Sequence, residues 1–270
     1  MERRKLLIAG GDIRMLYAAL SLSDIYDVEV MGYSEEMLSG EGKEILGNLK
    51  KASGNADVLL LPPVVTDSNG KINAPFYSKT LEISDVIENV KENGVLLMGV
   101  KGVNADEAAA RKNIWVCNYM NDETLALANA VPTAEAAIKT AIEKTGRTIW
   151  HSRVLVTGFG RIGTILSDRL LKFGADVTAA ARTEYARMKI KAMGAVPVKI
   201  LPDKNILSEM DIIFNTVPAE IFTAYDVMSF KKDCVFIELA SAPGGVDKKA
   251  VQIIGDKYLC ASGLPANIVC

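Results

Sequence analysis

Val154-Leu155-Val156-Thr157-Gly158-Phe159-Gly160-Arg161-Ile162-Gly163 is a β-branched run feeding a G-x-G-x-x-G turn, and it lies past the middle of a 270-residue chain. A full set of strands and helices therefore precedes it. Each glycine has its own physical task. Gly158 permits the tight bend, Gly160 lets the backbone approach a pyrophosphate with no Cβ in the way, and Gly163 lets the new helix pack on its strand. The helix start then offers free N–H groups and the positive end of its dipole to phosphates. The spacing alone recurs by chance, so the surroundings decide. Arg153 to Thr157 reads as a buried parallel strand, Ile162, Leu166, Leu170 and Leu171 recur at helical spacing, and Gly174 stops the helix before a second strand, Ala175 to Ala181. Gly158, Phe159, Gly160, Arg161 and Ile162 are accordingly expected to hold a dinucleotide.

The end of that second strand selects the cofactor. NAD-type folds carry Asp or Glu there, about 20 residues beyond the glycines, to accept hydrogen bonds from ribose hydroxyls. Here the strand ends Ala180-Ala181-Arg182-Thr183, with no carboxylate before Glu184. A guanidinium and a hydroxyl suit a ribose 2′-phosphate, because Arg pairs with phosphate through two parallel hydrogen bonds. This reading predicts NADP; the alternative is that Arg182 is a solvated side chain starting a helix.

Composition sets outer bounds. With 270 residues, 49% of them hydrophobic, the chain has material for two ordinary cores, and length favours two domains. A net charge of −2 and a pI near 5.7 give no footprint for nucleic acid. No apolar stretch is long enough to span a bilayer, and Met1-Glu2-Arg3-Arg4-Lys5 leads straight into a strand without a secretory cleavage pattern, so a cytoplasmic protein away from the membrane is expected. Cys117, Cys234, Cys260 and Cys270 are scattered, the first three in apolar strand-like runs, and read as buried free thiols. With no C-x-x-C, one histidine and no clustered carboxylates, no metal is expected.

The first half repeats the α/β alternation. Strand-like runs at Lys5 to Ala9, Val28 to Met31, Val58 to Leu61, Val95 to Val100 and Ile114 to Asn118 alternate with helical segments such as Ile13 to Leu22 and Ala105 to Lys112. Such alternation implies a parallel sheet covered on both faces. Its first turn, Gly10-Gly11-Asp12, opens a helix but lacks the third glycine. Residues 1–121 are therefore expected to form a flavodoxin-like substrate domain. Ligands of such sheets lie outside the carboxyl ends of the strands, so Gly10, Gly11, Asp12 and Arg14 are expected to face an interdomain cleft.

Residues 122–150 read as a helical connector. Asn121 or Asp122 caps it, Pro132 should kink or restart it with Thr133 as a new cap, and Gly146 ends it. A connector that passes the cleft makes Asn129, Thr133 and Glu135 functional as well as structural candidates. Residues 151–270 complete the Rossmann dinucleotide-binding domain, with apolar runs ending at Thr216-Val217-Pro218 and Ala240-Ser241. Those ends are expected beside the ribose and near the nicotinamide, although turn chemistry alone also accounts for their small residues.

Asn129-Ala130-Val131-Pro132-Thr133-Ala134-Glu135-Ala136-Ala137-Ile138, the glycine turn, Asn215-Thr216-Val217-Pro218, Glu238-Leu239-Ala240-Ser241 with Pro243-Gly244-Gly245, and Gly263-Leu264-Pro265 together resemble the A subunit of dipicolinate synthase from spore-forming bacteria. The resemblance runs from the first strand to the last residues. It implies an NADP-linked oxidation of a dihydrodipicolinate species to dipicolinate, alongside a flavoprotein-like B subunit, in the mother-cell cytoplasm during sporulation. Association of further copies of the chain is left open. The family continues past Gly-Leu-Pro with a further helix, whereas here Ala266-Asn267-Ile268-Val269-Cys270 follows. This departure predicts that one apolar flank of the last strand is bare or covered by a partner.

Oxidising a dihydropyridine needs mainly orientation, with cations gripping two carboxylates. Arg14 and Lys101, both after strands, are the expected substrate-binding cations, with Gly11 and Asp12 beside Arg14; a solvated loop lysine is the other reading of Lys101. Glu135 is expected to accept the proton if it is buried, and otherwise is a helix-start carboxylate favoured by the dipole. The single histidine, His151, precedes the nucleotide-binding strand on the side away from its C-terminal end. That placement argues against a two-domain 2-hydroxyacid dehydrogenase, which needs a base for the hydroxyl proton. Because no residue is an unmistakable acid or base, an NADP-binding regulatory protein that performs no chemistry alone is the second reading.

Overall fold

In the computed structural model, residues 3–34, 49–66, 70–99 and 105–261 are described. Lys101, the Gly263-Leu264-Pro265 motif and the terminal Ala266–Cys270 segment lie outside them. The chain divides into two compact units, with the boundary between Leu125 and Ala126.

The first unit holds strands β1 (Lys5–Ala9), β2 (Asp27–Met31), β3 (Lys50–Lys51), β4 (Ala56–Leu60), β5 (Val90–Met98) and β6 (Trp115–Asn118), with helices α1 (Ile13–Leu22), α2 (Ile83–Glu88) and α3 (Ala105–Ala110). The sheet order is β3-β2-β1-β4-β5-β6 and every pairing is parallel. Apart from the short edge strand β3, this is the flavodoxin-like order. The apolar run of β1 arises because successive side chains serve opposite faces. Leu6 and Ile8 pack with Met15, Leu16 and Ala19 of α1, whereas Leu7 and Ala9 pack with Val86 and Ile87 of α2.

The second unit contains most of α4 (Glu123–Thr145), then β7 (Arg153–Thr157), α5 (Arg161–Lys172), β8 (Asp176–Ala180), α6 (Glu184–Met193), β9 (Val196–Val198), α7 (Lys204–Leu207), β10 (Ile212–Asn215), α8 (Ala224–Val227), β11 (Val235–Glu238), α9 (Lys248–Ile254) and β12 (Tyr258–Cys260). Its order, β12-β11-β10-β7-β8-β9, is again parallel throughout. This is the doubly wound arrangement of two mononucleotide-binding halves, and the order reverses between β7 and β10. Both sheets thus have the expected α/β architecture. The two strands with no sequence signal, β3 and β9, are short edges. Lys50 and Lys51 are exposed, and Pro197 sits within β9, where an edge tolerates its missing donor.

Two local expectations are corrected. Helix α4 does not restart at Pro132; it runs through it. Asp122 caps its start, accepting from the N–H groups of Thr124 (2.7 Å) and Leu125 (3.1 Å). Thr133 caps nothing, and its hydroxyl donates to the carbonyl of Asn129 (2.7 Å). The reason is tertiary: Ala134, Ala137, Ile138 and Ala141 are buried against Val154, Val156 and Leu166 of the second sheet and α5. That packing holds the helix together across the missing N–H. Cysteine burial also differs from expectation. Cys234 is buried and Cys117 half-buried, but Cys260 is exposed because β12 is the edge of its sheet.

Candidate functional site

The turn after β7 shows a separate reason for each glycine. Gly158 adopts φ +93°, and a Cβ there would lie 2.3 Å from Thr216 Oγ1. A Cβ at Gly163 would lie 2.1 Å from the carbonyl oxygen of Gly158, so only glycine lets α5 pack this closely on the turn. At Gly160 a Cβ would meet nothing within 4 Å, because the position opens onto a cavity of about 570 Å³. Gly160 is the N-cap of α5; no side chain caps the helix and its first turn holds no acidic residue. The N–H groups at this end are therefore left for an anion by the helix's own chemistry.

The cavity gathers every residue expected to touch the cofactor. Gly158, Phe159, Gly160, Arg161 and Ile162 form one side, Arg182 and Thr183 a second, and Thr216, Val217, Pro218, Ala240 and Ser241 a third. Ala181, Ala186, Ile200 and Leu239 fill the gaps. The lining carries two guanidinium groups and no carboxylate, histidine or thiol. It lies at the carboxyl ends of β7, β8, β10 and β11, around the switch point. Thr183 accepts from the N–H of Ala186 (3.2 Å) and caps α6. Arg187 donates to the carbonyls of Ala181 (3.0 Å) and Arg182 (2.9 Å), which fixes the loop and leaves the exposed Arg182 side chain at the cavity edge. An open glycine, uncapped helix N–H groups and a peripheral cation together fit a dinucleotide.

Behind the cavity lies a buried polar network. Thr157 donates to Asn215 Oδ1 (2.6 Å), and Asn215 Nδ2 donates to Glu238 Oε1 (2.7 Å). Thr157, Asn215 and Glu238 are at most 1% exposed. Burial is the largest influence on Glu238 and pushes its carboxyl above the ordinary value, despite bonds from Gly245, Asn215 and Ala240 that act the other way.

In the first unit, the turn after β1 is closed by the chain itself. Gly11 N–H donates to the carbonyl of Asn73 (2.6 Å), and a Cβ on Gly10 would lie 2.8 Å from that same oxygen. Asp12 caps α1 and is held by Arg14 through Nε (2.9 Å) and Nη2 (2.7 Å). Tyr33 donates to the carbonyl of Gly10 and Tyr119 to that of Leu61 (2.9 Å). Gly11, Asp12 and Arg14 therefore sit together at one strand end, with Gly11 N–H engaged and Arg14 paired.

Asn129, Thr133 and Glu135 share α4 but not one face. Thr133 is buried, whereas Glu135 is exposed and paired with Arg169 (3.1 Å). Two residues apart on a helix is a turn of about 200°, which sends the two side chains opposite ways. The burial attached to a proton-accepting Glu135 is not present.

Residues 5–120 match the family model for the N-terminal domain of the dipicolinate synthase A subunit, and residues 122–255 that for the D-isomer specific 2-hydroxyacid dehydrogenase NAD binding domain. The dipicolinate synthase A subunit of Bacillus subtilis (strain 168) is 28% identical over 267 residues, covering 98% of this chain and 90% of that protein. The chain belongs to the dipicolinate synthase A-subunit family. Among solved structures of the family, the protein from Bacillus halodurans has a TM-score of 0.85 at 27% identity, over 98% of this chain and 92% of that one. The corresponding structure from Bacillus subtilis has a TM-score of 0.82 at 26% identity, over 100% and 91%. The second unit is a dehydrogenase-type NAD-binding domain, which places this member of the dipicolinate synthase family among oxidoreductases with a nicotinamide cofactor.

Two features of this family member escape local reading. The Thr157-Asn215-Glu238 network carries one sequence signal, a carboxylate ending an apolar strand before Pro243-Gly244-Gly245, and that signal does not reveal its partners. His151 lies before β7, at the opposite end of the strand from Gly158. It is exposed, has φ +57°, and rests on Trp150 with ring centroids 4.1 Å apart.

Proposed function

We propose that the chain is an NADP-dependent oxidoreductase that converts dihydrodipicolinate to dipicolinate, in partnership with a flavoprotein-like B subunit, in the mother-cell cytoplasm during sporulation. The observation that carries this reading is the convergence of the glycine turn, Arg182-Thr183 and the two strand ends on one cavity, in a member of the dipicolinate synthase A-subunit family. Among the described residues no helix is long and apolar enough to cross a membrane.

The α5 N-terminus and Gly160 would receive the pyrophosphate, Arg182 and Thr183 the 2′-phosphate, and the Thr216–Pro218 and Ala240–Ser241 segments the ribose and nicotinamide. A bound nicotinamide accepts two electrons and one of the two hydrogens that ring aromatisation releases; the second leaves as a proton. The protein's share is then orientation. Arg14 and Lys101 are proposed to bind substrate carboxylates, Arg14 in competition with its present partner Asp12. Asn129, Thr133 and Glu135 are kept as proposed catalytic positions, with Glu135 required to leave Arg169 before it receives a proton.

The absence of an acid or base from the cavity lining favours a second reading, in which the chain binds NADP without acting alone. Incubating the purified chain with NADP+ and freshly generated dihydrodipicolinate separates the two. Reduced-cofactor absorbance from the chain by itself supports the oxidoreductase; absorbance only after the B subunit is added supports the regulatory role. His151→Gln is expected to leave turnover unchanged, and a loss of several orders of magnitude would reinstate histidine as a base.

A further inference from the structure

Glu238 ends β11 as a buried carboxylate, 1% exposed, and no cation pairs with it among the described residues. It is balanced by N–H groups alone. Oε1 accepts from Asn215 Nδ2 (2.7 Å) and from the backbone N–H of Ala240 (3.1 Å), and Oε2 accepts from the N–H of Gly245 (2.7 Å). Asn215 carries the connection across to the next strand end. Its Nδ2 also donates to the carbonyl of Val217 (2.9 Å), and its Oδ1 accepts from the N–H of Val217 (3.2 Å) and from Thr157. A Cβ at Gly245 would lie 2.2 Å from Asn215 Nδ2, so the turn approaches the amide as closely as only glycine allows. Val217 and Ala240 both line the cavity, but Asn215 and Glu238 do not.

We infer that Glu238 is a positioning residue: it locks the Val217 and Ala240 segments into a single rim for the nicotinamide half of the dinucleotide, through bonds that only an acceptor can make. The inference rests on the reading of the cavity as an NADP site. In that site the 2′-phosphate end lies at Arg182 beyond β8, and the β10 and β11 ends serve the other half. A buried carboxylate held by three donors has no room for a donor of its own. In a glutamine of the same shape the amide nitrogen faces Gly245 N–H in one orientation, and Ala240 N–H and Asn215 Nδ2 in the other.

The test is equilibrium binding by titration calorimetry on the full chain, using NADP+ and 2′,5′-ADP, which carries the 2′-phosphate end without the nicotinamide. Glu238→Gln is expected to weaken NADP+ by about tenfold, the cost of a lost charge-assisted bond with an opposed donor, while 2′,5′-ADP changes less than about twofold. Equal losses for both ligands would mean a general structural role and overturn the inference, as would an unchanged NADP+ affinity. If the wild-type chain binds neither ligand, the cofactor reading itself fails. Should Glu238→Gln not fold by circular dichroism, Glu238→Asp keeps an acceptor-only carboxylate one methylene short of Gly245. It is expected to show the same selective loss at smaller size, and a loss shared equally by both ligands again overturns the inference.

Discussion

Arg182 and Arg14 show how differently two cations at strand ends are used. Arg182 is exposed at the cavity edge, and a carboxylate is missing where ribose hydroxyls would need one. Arg182→Ala is expected to raise the dissociation constant for NADP+ by about 10- to 100-fold and that for NAD+ by less than about threefold, since only the former presents a 2′-phosphate. Titration of the variant with both nucleotides checks this. Arg14 instead acts on Asp12. Burial is the largest single influence and would raise the Asp12 carboxyl, but the Arg14 side-chain bonds, backbone bond and charge together hold it below its ordinary 3.8. The unfolded state therefore takes up this proton first on acidification. The stabilisation is complete above about 3.8 and is lost as pH falls from there through the lower folded value. Arg14→Gln should flatten that acid limb in denaturant titrations run across pH, and an unchanged limb would remove Asp12 as its source. Gly158, Gly160, Gly163 and Arg182 were legible in the sequence because each acts through its own backbone or at a strand end set by local pattern. Glu135 was not, since its partner Arg169 lies on α5, far along the chain.

At the scale of elements, α4 is where local chemistry and packing disagree. Pro132 removes an N–H from the middle of the helix, and Thr133 back-bonds to Asn129, both of which weaken helices. The buried alanine face of α4 against the second sheet overrides them. Pro132→Ala should therefore raise unfolding free energy by about 1–3 kcal/mol, seen as a higher midpoint in guanidinium, if the proline serves no packing role of its own. A fall in the midpoint would show that the proline ring is part of the core. The strands with a period-2 or all-apolar signature were read from sequence with boundaries shifted by a few residues. Strands β3 and β9 were invisible because two or three edge residues carry no pattern, and only hydrogen bonds to a neighbour make them strands.

For the molecule as a whole, two units with separate hydrophobic clusters predict separate responses to ligand. NADP+ at about 100 times its dissociation constant should stabilise the second unit by about 2.7 kcal/mol. In scanning calorimetry the transition of that unit should move up while that of the first stays in place; a shift of both together would show that the two unfold as one. The sequence by itself determined two parallel α/β sheets, their order of appearance, and the glycine turn with its cofactor class, because hydrophobic period and glycine spacing act over a few residues. Tertiary structure alone decided that Gly160 is open and the turn at Gly10 and Gly11 closed, since the carbonyl closing the latter comes from Asn73. It also decided that Thr157, Asn215 and Glu238 meet behind the cavity, because neighbours in a doubly wound sheet come from distant points of the chain.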